Sequence, residues 1–93
     1  MIIGVCTVSL YLPTSSSLKD KRNILKSLKA RIRNNYNVSV SEINHYDLWK
    51  NTVLGFSCIG NDKKYLNQIF NKIILFLSQE NDFDIIKFEI NIL

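Results

Sequence analysis

Apolar residues alternate along the first dozen positions of the chain. Ile2, Cys6, Val8, Leu10 and Leu12 share one parity, and Ile3, Val5, Thr7, Ser9 and Tyr11 share the other. A period of two predicts a strand over 2–12, and Pro13 ends it because proline offers no donor to a sheet ladder. Residues 14–17 form a polar turn. Ser17 with Asp20 is the S-x-x-D form of a helix capping box, and the period then changes. Leu18, Leu25, Leu28 and Ile32 recur at helical spacing, which predicts a helix over 18–34 with one apolar side. Asn34-Asn35 suits its end, since Asn tolerates the left-handed backbone.

A second strand is predicted over 37–45. Val38 and Val40 alternate, Ile43 falls out of phase, and a β-bulge near Ser41-Glu42 absorbs the slip. The segment 45–50 is too long for a two-residue hairpin turn. A third strand covers 52–60 with Leu54, Phe56 and Cys58 on one face. Residues 60–62 end it and cap a second helix, about 62–80, whose core stripe is Leu66, Ile69, Phe70, Ile73 and Leu77, with Leu75 pointing away. In the last strand Ile86, Phe88, Ile90 and Ile92 are expected inward and Lys87, Glu89 and Asn91 outward. The order β-α-β-β-α-β with short connections specifies an α+β, ferredoxin-like domain over residues 1–93. Right-handed crossovers give it a four-stranded antiparallel sheet with both helices on one face. The opposite face is left open, showing Ile3, Val5, Tyr11 and Val53 among small polar residues. Self-association through those four residues, as a homodimer, is a reading this exposed patch supports.

Composition narrows the class. At 93 residues, 46% hydrophobic and 22% charged, the chain is a single globular domain. No basic residue precedes the apolar N-terminal stretch, the first being Lys19, so a secretory signal is not expected. The longest apolar run, Ile73 to Leu77, is far short of a membrane span. A cytoplasmic protein without membrane association is therefore expected. Cys6 and Cys58 lie in strands at no metal-binding spacing and read as reduced core thiols. Neither a metal nor a cofactor is expected.

Charge changes the picture most. Between Leu18 and Asn34 stand Lys19, Lys21, Arg22, Lys26, Lys29, Arg31 and Arg33 against Asp20 alone. Seven cations and one anion give that segment +6, and since the whole chain carries +4, the rest carries −2. Like charges at i,i+4 weaken a helix by a few tenths of a kcal/mol per pair, so the imbalance has a cost that solubility does not require. A stripe of Lys19, Lys21, Arg22, Lys26, Lys29 and Arg33 reads as a phosphate-contacting surface for RNA. Its plainer alternative is a solvated helix face. Ser17, at the helix N-terminus beside Lys19, is a second candidate for holding an anion, against ordinary capping.

The one grouping that resembles a chemical site is Glu42, His45, Asp47 and Trp49. A histidine near carboxylates can do acid–base work or begin a metal site. With one His and no thiol at ligand spacing, the structural reading prevails: Asp47 caps a turn, Trp49 packs beneath it, and His45 hydrogen-bonds at a strand end. A small ligand-binding or catalytic domain built on His45 and Asp47 is the third functional alternative. Base stacking on the sheet, as in RNA-recognition modules, is not expected, because Phe56 faces the core.

Three ordered segments resemble the YlxP-like family of small bacterial proteins. Leu12-Pro13 followed by Ser17-Leu18-Lys19-Asp20-Lys21-Arg22 is similar to its L-P-x-x-x-S-L-K-x-K-R signature. The segment from Asn37 to Glu42 is similar to its second strand, and His45-Tyr46-Asp47-Leu48-Trp49 to its H-x-D-L-W segment, with Leu54-Gly55 following. The resemblance implies a ferredoxin-like fold and no established catalytic residues. It also implies a setting near translation initiation and small-subunit maturation factors. Together with the basic helix, it makes a non-enzymatic accessory protein of RNA or the small ribosomal subunit the leading expectation.

Overall fold

A computed structural model describes residues 1–93. Its elements are β1 (Ile2–Tyr11), α1 (Leu18–Asn35), β2 (Ser39–Asn44), β3 (Asn51–Gly60), α2 (Lys63–Ser78) and β4 (Asp84–Ile92). All strand pairs are antiparallel and the sheet order is β2-β3-β1-β4. This is the ferredoxin-like α+β arrangement that the sequence periodicity specifies.

The inward parity of β1 and β3 is as expected: Cys6, Val8, Leu10, Leu54, Phe56 and Cys58 are all buried. They meet Leu25, Leu28 and Ile32 of α1 and the whole predicted stripe of α2 in one core, while Leu75 is exposed. Gly4 sits at a close approach between the layers. A Cβ there would lie 2.7 Å from a ring carbon of Phe70, which is fully buried, so the missing side chain lets α2 settle onto β1. Gly4→Ala is expected to cost about 1–3 kcal/mol through overpacking. A urea midpoint equal to that of the native chain would show instead that the ring yields freely.

Both edge strands carry an irregularity, and the one in β2 is announced by the out-of-phase Ile43. In β2 the slip falls between Glu42 and Asn44, so Ile43 is the extra residue. Its side chain swings over the open face to within 2.9 Å of where a Gly55 Cβ would be. In β4 a slip of the same size departs from the expected alternation. Lys87 pairs with Ser9 but Ile85 pairs with Leu10, leaving Ile86 as a bulge. Ile85, not Ile86, therefore turns toward the core, and Ile86 is 58% exposed. Phe88 pairs with the buried Val8 and shares its face, yet on an edge strand it remains 49% exposed. Ile90 and Ile92 pack against the core as expected. No helix is long and apolar enough to cross a membrane.

Candidate nucleic-acid interface

The first turn of α1 is built by its own polar residues. Ser17 is the N-cap, with extended backbone, and its hydroxyl accepts from the Asp20 amide at 3.0 Å. Asp20 reaches back to accept from the Ser16 amide at 3.0 Å and the Ser16 hydroxyl at 2.7 Å. The helix N-terminus thus already faces a carboxylate from its own chain. Ser17 serves the cap rather than an outside anion.

Hydrogen bonds from the Ser16 hydroxyl and amide hold the Asp20 carboxyl below its ordinary pKa. A depressed carboxyl contributes stability above the unfolded value and loses it as pH falls through the folded value. Thermal melts of the native chain should therefore steepen their loss of stability as pH drops below about 4, and Asp20→Asn should flatten that part of the profile. Parallel acid profiles for the two proteins would contradict the capping role.

Lys21 corrects the sequence reading. Its side chain is 2% exposed, and the ammonium contacts the Glu42 carboxylate at 2.8 Å, the His45 carbonyl at 2.6 Å and the Leu48 carbonyl at 2.7 Å. Three donors meet three acceptors, so none is left for phosphate. Glu42 also accepts from the hydroxyl of the fully buried Thr52 at 2.6 Å. Lys21 belongs with Leu25, Leu28 and Ile32 on the inward side of α1, and the i, i+4, i+7, i+11 spacing of those four residues is the signal that marks it. Glu42 and the backbone of His45 thereby become parts of a clasp that ties the β2–β3 connection to the first turns of α1.

The other members of the expected His45 cluster do not converge. His45 adopts a left-handed backbone with φ 64, its amide donates to the Asn44 side chain at 2.8 Å, and its carbonyl closes the turn by accepting from Leu48 N. The His45 and Asp47 side chains are exposed. No three His, Cys, Asp or Glu side chains come together as a possible metal site. Trp49 does not pack beneath the turn: it is 55% exposed, and Tyr46 is 61% exposed. The two thiols are protonated core groups, burial pushing Cys6 up to about 11 and Cys58 upward as well.

What remains of the stripe is a coherent surface. Lys19, Arg22 and Lys26 are exposed and Lys29 partly so. Arg33 is also exposed, although one of its nitrogens donates to the Val40 carbonyl at 3.1 Å. That contact sets the stripe on the flank of α1 that looks toward the β2 edge. Arg31 leaves on the opposite flank, where it pairs with Glu80 and stands 5.6 Å from the Phe76 ring centre, joining α1 to α2. Ion pairs within the chain involve only Lys21 and Arg31. Five cations of the stripe therefore have no carboxylate partner.

The sequence profile described as a protein of unknown function (DUF503) matches residues 3–90. The chain belongs to the DUF503 family. This DUF503 protein is 29% identical over 76 residues to the uncharacterized protein YlxP of Bacillus subtilis (strain 168), covering 82% of this chain and 83% of YlxP. The family assignment agrees with the resemblance carried by the L-P-x-x-x-S-L-K-x-K-R and H-x-D-L-W segments. In this DUF503 chain those two segments are the partners joined by the Lys21 clasp. Among solved structures, a REP-associated tyrosine transposase bound to a REP hairpin superposes with TM-score 0.47 and 11% identity. It covers 98% of this chain, which spans 55% of that one. So loose a superposition carries no argument about function.

Proposed function

We propose that this DUF503 protein is a non-catalytic RNA-binding accessory protein that meets phosphate through Lys19, Arg22, Lys26, Lys29 and Arg33, and that the small ribosomal subunit or its precursors is its setting. The observation that carries the reading is the stripe itself. It holds five cations on one helix flank without a single carboxylate partner, with Arg22–Lys26 and Lys29–Arg33 at the repelling i,i+4 spacing. A polyanion relieves that repulsion and releases its own counterions on binding. Trp49 and Tyr46 support the assignment: they are exposed planar side chains on a connection that the clasp fixes to the same helical turns as Lys19 and Arg22. Unpaired bases stack on such side chains at the edge of a basic groove.

Five phosphate contacts predict a log–log slope of affinity against salt of roughly −3.5 for single-stranded RNA, at about −0.7 per contact. Fluorescence anisotropy with an oligoribonucleotide, read between 50 and 200 mM salt as about a hundredfold loss, tests it. An affinity flat in salt would reject phosphate contact. In lysates the protein should co-sediment with small-subunit particles at low salt and leave them at high salt.

A second reading draws on the open sheet face. There Val5, Thr7, Ser41, Ile43, Gly55 and Ser57 line a shallow, largely apolar hollow of about 340 Å³. Small residues at the floor and Ile43 at the rim fit the surface of another protein, and association through it would be insensitive to salt.

A further inference from the structure

The two edges of the sheet are not equivalent. At β2 the Val40 carbonyl is already taken by Arg33. At β4 nothing covers the outer side of a nine-residue strand, and that strand carries an exposed Phe88 and an exposed Ile86. It also carries Lys87 and Glu89, which lie on the open face by their pairing with Ser9 and Thr7. Neither has an ionic partner within the chain. An uncovered strand edge is a template for another strand. A single Lys in its middle is a common deterrent, but here a Glu stands two residues away on the same face.

We infer that β4 pairs antiparallel with β4 of a second copy of this chain, about a two-fold axis passing through Phe88, to give a continuous eight-stranded sheet. The charge order carries the inference. A two-fold normal to the sheet must pass through a residue, since directly opposed side chains share a face. An axis through Lys87 sets Lys87 against itself, and one through Glu89 sets Glu89 against itself. The axis through Phe88 sets Lys87 opposite Glu89 of the second copy, and Glu89 opposite its Lys87, as two identical ion pairs on the open face. Phe88 then meets its own copy on the helix face, and Ile90 comes beside the bulge at Ile86 of the second copy. Self-complementarity of this kind is what an isologous interface requires, and aromatic and opposite-charge pairs are those that stabilise facing strands.

Because α1 and its stripe lie toward the β2 edge, this pairing leaves both basic surfaces uncovered. They stand at the two ends of the joined sheet, about 34 Å apart at seven strand spacings of roughly 4.8 Å. A dimer therefore offers phosphate-contacting stripes at two separated points on one helix-covered face. Because the contact is isologous, each copy spends its β4 edge on the other and the pairing closes at two copies.

The test is sedimentation equilibrium of the native chain and of Lys87→Glu and Glu89→Lys, alone and mixed. The native chain should dimerise at high micromolar concentration. Each single reversal sets like charges opposite one another twice, and each should weaken its own dimer by about tenfold or more. Mixed in equal amounts, the two variants should associate again, because one then presents only carboxylates at positions 87 and 89 and the other only ammonium groups. Both facing pairs of the mixed dimer join unlike charges. Both substitutions are at exposed sites, so circular dichroism should match the native chain, and recovery on mixing separates lost pairing from lost folding. A native chain that stays monomeric overturns the inference. So do single reversals that dimerise like the native chain, which would place any interface elsewhere, and so does a mixture no more associated than its components.

Discussion

Lys21→Ala should lower the stability of the domain by about 3–5 kcal/mol, the cost of leaving one partner of a buried ion pair behind. The replaced ammonium satisfies the Glu42 carboxylate and the carbonyls of His45 and Leu48 at once. Alanine leaves all three without that donor, and Glu42 keeps only the Thr52 hydroxyl. Small domains have total stabilities of roughly 5–15 kcal/mol, so the loss should move the thermal midpoint by more than about 10 °C. Chemical denaturation gives the free energy directly. Trp49 is the sole tryptophan, and it sits on the connection the clasp holds, so its emission should change in the folded variant as well. Glu42→Gln combined with Lys21→Met removes both charges together and should recover part of the loss. A cost below about 1 kcal/mol for Lys21→Ala, the range of exposed lysines, would show that the clasp is not a buried ion pair in solution.

The same residue shows where the sequence was legible and where it was not. The stripe of α2 could be read residue by residue, since all five positions are apolar and all five are buried. In α1 the apolar stripe is interrupted at its first turn by Lys21. A lysine there looks like one more member of a basic face until its spacing to Leu25, Leu28 and Ile32 is weighed above its charge. Nothing in the local sequence says that Glu42 and two backbone carbonyls wait beside it, because those acceptors arrive from the β2–β3 connection. Trp49 is the converse case. Burial is the usual expectation for a large aromatic in a small domain, yet the tight turn at His45 through Leu48 turns it outward.

Strand phase failed in one place for a similar reason. Ile85 and Ile86 are both apolar, so alternation accepts either as the inward residue, and only the bulge opposite Ser9 and Leu10 decides for Ile85. In β2, by contrast, the out-of-phase Ile43 announced a bulge, and the slip lies within two residues of the expected position. The order of elements and the faces of the two central strands follow from periodicity alone, since central strands bury one full face. The basic flank was legible as charge. Its division into Lys21 inside, Arg31 toward α2 and five outward cations is tertiary information.

The second large effect concerns those five cations. Lys19→Glu, Arg22→Glu and Lys26→Glu together change the stripe by six charge units and place carboxylates where phosphates are proposed to lie. Each residue is exposed and outside any ion pair, so the folded state should be kept within about 1 kcal/mol. Three lost contacts and three introduced repulsions should together abolish measurable RNA affinity, a loss of at least a hundredfold. The measurement that tests the account most directly is therefore RNA binding by this triple variant beside the native chain, at matched low salt. The prediction is native binding, no binding by the triple variant, and superposable circular dichroism. RNA affinity retained by a folded triple variant would contradict the assignment of the α1 stripe as the phosphate-binding surface.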